Sequence, residues 1–237
     1  MLTKIKNHIK GLIHRTSKLY KSTFYARNPK IFIVGFGRTG TTSLKWTFDK
    51  MGFLVGDQHR AERLLPDYNN GNFDTIIDYC QTARVFQDTP FSLPETFRHL
   101  AEAYPDSKFI LTVRDSAEQW YGSLVAYKTM KFGGKLPTPQ ELKDSVYNWK
   151  GWYWENHVGQ FGPDETDIWD PQMWMNAYDA HNREVKEYFK DKPGRLLVLN
   201  LREPEAFETF CAFFKVKTSL DGFPHLNTSK TQFISNL

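Results

Sequence analysis

Residues 30–46 read KIFIVGFGRTGTTSLKW: a β-branched and aromatic run from Lys30 to Val34, glycines at 35, 37 and 40, then a hydroxyl-rich start to a helix predicted over 41–51. Strand, glycine loop and helix in that order bring backbone N–H groups and the positive end of a helix onto one anion. Outward from this stretch, short apolar runs at 53–55, 83–86 and 109–113 each end in polar residues, with helical segments at 93–103 and from 117 to about 130. Alternation of this kind predicts an α/β fold, a parallel sheet flanked by helices with its ligand at the carboxyl ends of the strands. Residues 131–170 break the rhythm with scattered Gly and Pro in an aromatic-rich stretch, which predicts a helical cap. Asp170 and Pro171 then read as a helix cap and a first-turn proline, with Trp174, Tyr178, His181, Val185 and Tyr188 on one face. A last strand over 195–201, a last helix over 204–214 and an irregular tail over 223–237 complete the reading.

The loop alone leaves alternatives open. Gly35, Gly37 and Gly40 spell GxGxxG, and Asp57 follows the second run at about the distance of a ribose-binding acid, so an NAD(P)-dependent Rossmann oxidoreductase is one reading. The ATP-type form GxxxxGK[ST] is nearly met, but Thr41 stands in the lysine position. A non-catalytic nucleotide-binding interaction protein is a third reading. The run Arg38-Thr39-Gly40-Thr41-Thr42-Ser43 tips the balance, because consecutive hydroxyls at a helix start add donors to a phosphate cradle and a Rossmann helix does not require them.

This loop resembles the 5′-phosphosulfate loop of P-loop sulfotransferases, commonly Lys-Ser-Gly-Thr-Thr, with Arg38 in the lysine position. Phe109-Ile-Leu-Thr-Val-Arg114 followed by Ser123 is similar to the family's 3′-phosphate site, although the serine is nine residues on where eight is usual. Tyr178-Asp-Ala-His181, the 195–201 strand and Phe223-Pro-His-Leu-Asn227-Thr are similar to a less-studied branch, so the likeness covers about residues 30–230. The resemblance implies a P-loop domain over 30–237, 3′-phosphoadenosine 5′-phosphosulfate as co-substrate without a metal, and sulfuryl transfer to a hydroxyl or amine. It implies donor contacts from Gly37, Arg38, Thr39, Gly40, Thr41, Thr42 and Ser43, with Arg114 and Ser123 on the 3′-phosphate.

An acceptor that must lose a proton needs a base at a strand end. Asp88, in Phe86-Gln-Asp-Thr-Pro90, is the candidate, set against its ordinary reading as a turn former. Arg114 has a structural alternative as an ion-pair partner in the neighbourhood of Asp115. His99 reads as surface or packing and His181 as a core histidine. Five of the seven tryptophans fall within 147–174, together with Tyr147, Tyr153 and Phe161. Core packing and a pocket for a small-molecule, glycan or lipid acceptor are its two readings.

Composition bounds the class. The chain has 237 residues, 40% hydrophobic and 24% charged, as expected of one globular domain. Cys80 and Cys211 are too few for a disulfide framework and lie in no metal-binding pattern, which predicts a reducing, cytoplasmic setting. The net charge of +4 is concentrated in residues 1–29, where seven Lys or Arg occur without an acid. Leu2, Ile5, Ile9, Leu12, Thr16 and Leu19 give that arm one apolar stripe, which predicts packing, oligomer contact or peripheral membrane contact, with no signal peptide, no membrane span and no nucleic-acid partner.

Overall fold

The computed structural model describes residues 29–226, so the predicted basic arm, apart from Pro29, and the tail from Asn227 lie outside the described residues. Four parallel strands, β1 (Ile31–Ile33), β2 (Val85–Gln87), β3 (Lys108–Thr112) and β4 (Leu196–Leu199), form one sheet in the spatial order β2-β1-β3-β4. After β1 come α1 (Thr41–Lys50), α2 (Gln58–Glu62), α3 (Leu65–Asn69) and α4 (Phe73–Tyr79), and after β2 comes α5 (Thr96–Ala103). β3 leads into α6 (Ala117–Lys131), α7 (Pro139–Asp144), α8 (Trp152–Phe161) and α9 (Pro171–Phe189), and β4 into α10 (Ala206–Phe214).

Strand side chains alternate between faces, and on β1, β2 and β3 both faces are buried, whereas Val198 of the edge strand β4 is exposed. Ile31, Ile33 and Ile110 meet Leu44 and Phe48 of α1 and Phe210 of α10. Phe32, Phe109 and Leu111 meet Ile76 of α4, Phe97 of α5 and Phe189 of α9. Double burial explains why these strands read as continuous apolar runs instead of alternating ones.

Several boundaries differ from the sequence expectation. The helix expected from 93 starts at Thr96, because Leu93 precedes Pro94 and Glu95 has a left-handed φ of 62°. The 53–55 run is not a strand: Val55 alone pairs, in an isolated parallel bridge to Val85, before Asp57 caps α2 by accepting from Arg60 N at 3.2 Å. That bridge also decides against the Rossmann reading. In a dinucleotide-binding sheet the strand after the glycine-loop helix lies beside the first strand. Here β2 stands between them, so the bridge before Asp57 lies two strand spacings from β1, one spacing (roughly 5 Å) beyond the row a ribose-binding acid must occupy.

Of the two histidines weighed from sequence, His99 stacks on Phe73 with ring centroids 3.7 Å apart. His181 is buried on α9, stacked 4.5 Å from Phe36, with Nε2 2.8 Å from the Val34 carbonyl, and burial pushes its pKa down to about 4. The unfolded chain therefore takes up this proton first as pH falls. The stabilisation is fully present above about pH 6.5 and lost toward pH 4, by roughly 3 kcal/mol. Thermal melts over that range are expected to fall more steeply for the natural protein than for His181→Gln, whose amide keeps a donor without the titration.

Candidate active site

Each strand delivers its following loop to one rim: residues 34–40 after β1, Asp88 after β2, Arg114 after β3, and Asn200 to Arg202 after β4. With β1 central, the chain departs to β2 on one side and returns as β3 on the other, and the crevice opens between the loops after β1 and β3.

The first loop is tightly specified. A side chain on Gly35 would overlap Thr112 of β3, and Gly40 has a left-handed φ of 106° with Leu201 packed against it. Thr39 Oγ1 donates to the Phe36 carbonyl at 2.5 Å and is hydrogen-bonded to Thr112 Oγ1 at 2.5 Å, while Trp120 Nε1 donates to the Gly37 carbonyl at 2.9 Å. No side chain caps α1, and Thr41, Thr42 and Ser43 of its first turn border the crevice, where its N–H groups could meet an anion. Arg38 holds a left-handed φ of 72° and Asp88 one of 59°, conformations that cost a non-glycine residue energy and are retained where the surroundings over-determine them.

Two cavities meet at Arg38. One, of about 280 Å³, is lined by Arg38, Thr39, Gly40, Ser43, Arg114 and Ser123, with Asn200 and Arg202 on its far wall. Arg114 and Ser123 thus share a wall despite the nine-residue spacing. Arg114 is held by its own Nε, which donates to the Arg38 carbonyl at 2.7 Å, and by the Tyr178 hydroxyl, which accepts from its backbone N–H at 2.8 Å. Its side chain is not tied to Asp115: that carboxylate pairs with Arg202 at 3.2 Å and accepts from Asn200 and Gln119, each at 2.6 Å.

The other cavity, of about 220 Å³, is bordered by Gly37, Arg38, Thr41, Thr42 and Asp88 on the loop side and by Trp152, Tyr153 and Asn156 of α8 opposite. Asp88 Oδ1 accepts from Thr89 N at 2.9 Å, as a turn former's would, and the residue borders the cavity. Burial pushes its pKa up, opposed by the hydrogen bond from Thr89 N and then by Lys128, Lys45 and Arg38. A raised pKa makes a carboxylate a stronger base.

Sequence reasoning missed Lys128, Tyr127 and Glu62 in this cavity and Arg202 in the first. The Arg38 guanidinium sits 4.7 Å from the Tyr127 ring centroid, and Lys128 Nζ 4.8 Å from that of Tyr153. Burial lowers the Lys128 pKa to about 8. The signal existed in the spacing of Trp120, Leu124, Tyr127 and Lys128, one face of α6, but a lysine there reads as solvated. The aromatic cluster divides: Tyr147, Trp152, Tyr153 and Trp174 border the cavity, whereas Trp169 stacks on Trp174 at 5.4 Å and packs with Trp149 and Trp154 in the core.

The family model for a sulfotransferase domain matches residues 30–232, from the first strand past the last described residue. This chain belongs to the sulfotransferase family. No individual curated protein matches the sulfotransferase significantly. Membership makes sulfuryl transfer its general chemistry, and the all-parallel sheet with its flanking helices is consistent with the sulfotransferase-like P-loop fold. Among the described residues no group of three His, Cys, Asp or Glu could hold a metal, and no helix is long and apolar enough to cross a membrane.

Proposed function

We propose that the sulfotransferase takes its sulfuryl group from 3′-phosphoadenosine 5′-phosphosulfate, with the nucleotide in the 280 Å³ cavity, and passes it to a hydroxyl acceptor in the 220 Å³ cavity. The observation that carries this reading is that Arg38 borders both cavities, with Arg114 and Ser123 beyond it on one side and Asp88 on the other. The donor cavity fits the chemistry of a nucleotide bearing a second phosphate, because Arg38, Arg114 and Arg202 supply cations and Ser43 and Ser123 hydroxyls around one space. When bound, the donor supplies the sulfuryl group and leaves as adenosine 3′,5′-bisphosphate. The loop amides and the first turn of α1 hold the 5′ anion, and Arg38 stabilises charge on the oxygen that keeps the electron pair of the breaking bond. Asp88 takes the proton of the attacking hydroxyl.

Arg114 provides the test. Arg114→Ala is expected to weaken adenosine 3′,5′-bisphosphate by about a hundredfold, as for loss of a charge-assisted contact, and adenosine 5′-phosphate by less than about threefold. Calorimetric titration of both nucleotides checks this. Equal losses would reduce Arg114 to a brace for the Arg38 carbonyl.

A further inference from the structure

The acceptor cavity has a chemistry of its own. Its charged lining is balanced, Arg38 and Lys128 against Asp88 and Glu62, so no net field selects an ionic acceptor. Two aromatic faces that would attract an ammonium already carry cations, Tyr127 under Arg38 and Tyr153 under Lys128, and a cationic acceptor would meet like charge there.

Some of the polar wall is already engaged. Glu62 accepts from Asn148 at 2.9 Å and Gln58 at 3.3 Å, and Asn156 donates to Thr89 Oγ1 at 2.9 Å. The side chains of Ser92, Tyr127, Tyr153, Gln160 and Lys128 border the same space and have no hydrogen-bond partner among the described residues. A flat aryl acceptor would cover these groups and leave them unpaired, which disfavours it, whereas an acceptor bearing several hydroxyls would pair them. Trp152 and Trp174 border the cavity without a cation and offer apolar surface to C–H groups. At about 220 Å³ the space is smaller than the roughly 300–1,000 Å³ of drug-sized sites.

We infer that the acceptor is a neutral polyhydroxylated ring of about monosaccharide size, its hydroxyls on Ser92, Gln160, Tyr127 and Tyr153 and one of them directed at Asp88. The inference rests on the donor assignment above. In the step it implies, the acceptor hydroxyl oxygen bonds to sulfur and its proton passes to Asp88. The bond from sulfur to the 5′-phosphate oxygen breaks, and its electron pair stays on that oxygen.

The test uses the full chain, ³⁵S-labelled donor, and a panel of methyl hexosides, myo-inositol, 4-nitrophenol and phenethylamine. Label transfer is measured alongside saturation-transfer NMR of each compound, with and without adenosine 3′,5′-bisphosphate. At least one hexoside or inositol is expected to bind and to exceed both the phenol and the amine about tenfold in kcat/KM. Gln160→Ala is expected to lower that value about tenfold while adenosine 3′,5′-bisphosphate affinity and Tm stay unchanged. A preference for the phenol or the amine, or the absence of saturation transfer to every polyhydroxyl compound, would overturn the inference. Failure of the bisphosphate to bind would instead sink the donor assignment, and saturation transfer on the free protein would still decide the cavity.

Discussion

Arg38→Ala is expected to lower turnover by about a hundredfold to a thousandfold while changing donor affinity by less than about tenfold. The asymmetry follows from where the charge is needed. With the donor bound as proposed, its sulfuryl and phosphate oxygens would share their charge with loop amides and the start of α1 before transfer, so one cation would add modestly to binding. As the bridging bond breaks, charge grows on one oxygen, and a preorganised cation beside it acts mainly on the barrier. Arg38 is preorganised: its backbone holds a left-handed φ of 72°, its carbonyl is fixed by Arg114 Nε at 2.7 Å, and its guanidinium lies 4.7 Å from the Tyr127 centroid. Arg38→Lys should recover part of the loss, since a point charge survives without the planar fork. Rates and donor dissociation constants measured on both variants check the split, and a fall in affinity as large as the fall in turnover would make Arg38 a binding residue only.

Asp88→Asn is expected to cost about a hundredfold or more in turnover for an alcohol acceptor, and less for 4-nitrophenol, which needs little help in losing its proton. The substitution is clean here for two structural reasons. Asn keeps the oxygen that accepts from Thr89 N at 2.9 Å, and it tolerates the φ of 59° as well as Asp does. Tm and adenosine 3′,5′-bisphosphate affinity should therefore hold. The pH profile gives a second readout. Because burial raises the Asp88 pKa, the natural protein should lose turnover on acidification at a pH above the ordinary carboxylate range, as the base takes up its proton. The asparagine variant should lack that limb. A joint loss of Tm and donor affinity would show the carboxylate holding the turn instead.

How far the site was legible follows from how local each signal is. Gly35 to Ser43 is contiguous, and strand, glycine loop and helix follow one another there as expected, with α1 starting at Thr41. Arg114 and Asp88 were legible as polar residues that end apolar runs, a position a parallel sheet turns into a ligand rim. Ser123 needed the family pattern, because nothing in a lone helical serine points to a phosphate. Glu62 and Arg202 were not legible, and Lys128 was legible only as a member of the α6 face it shares with Trp120, Leu124 and Tyr127. Charged residues on short or amphipathic helices ordinarily face water, and only the folded chain brings Lys128 of α6 over the Tyr153 ring of α8. The 53–55 run misled for a related reason: three apolar residues fit a strand, but edge pairing is a tertiary fact, and only Val55 finds a partner.

Thermal melts of the full chain with adenosine 3′,5′-bisphosphate, NAD and ATP test most directly whether the nucleotide cavity takes a 3′,5′-substituted adenosine. A ligand that binds only the folded state adds about 2.7 kcal/mol when its concentration is a hundred times its dissociation constant, a rise in Tm of several degrees. The bisphosphate is expected to raise Tm by that amount at low micromolar affinity, with NAD and ATP leaving it within a degree or so. A rise produced by NAD or ATP and not by the bisphosphate would contradict the account.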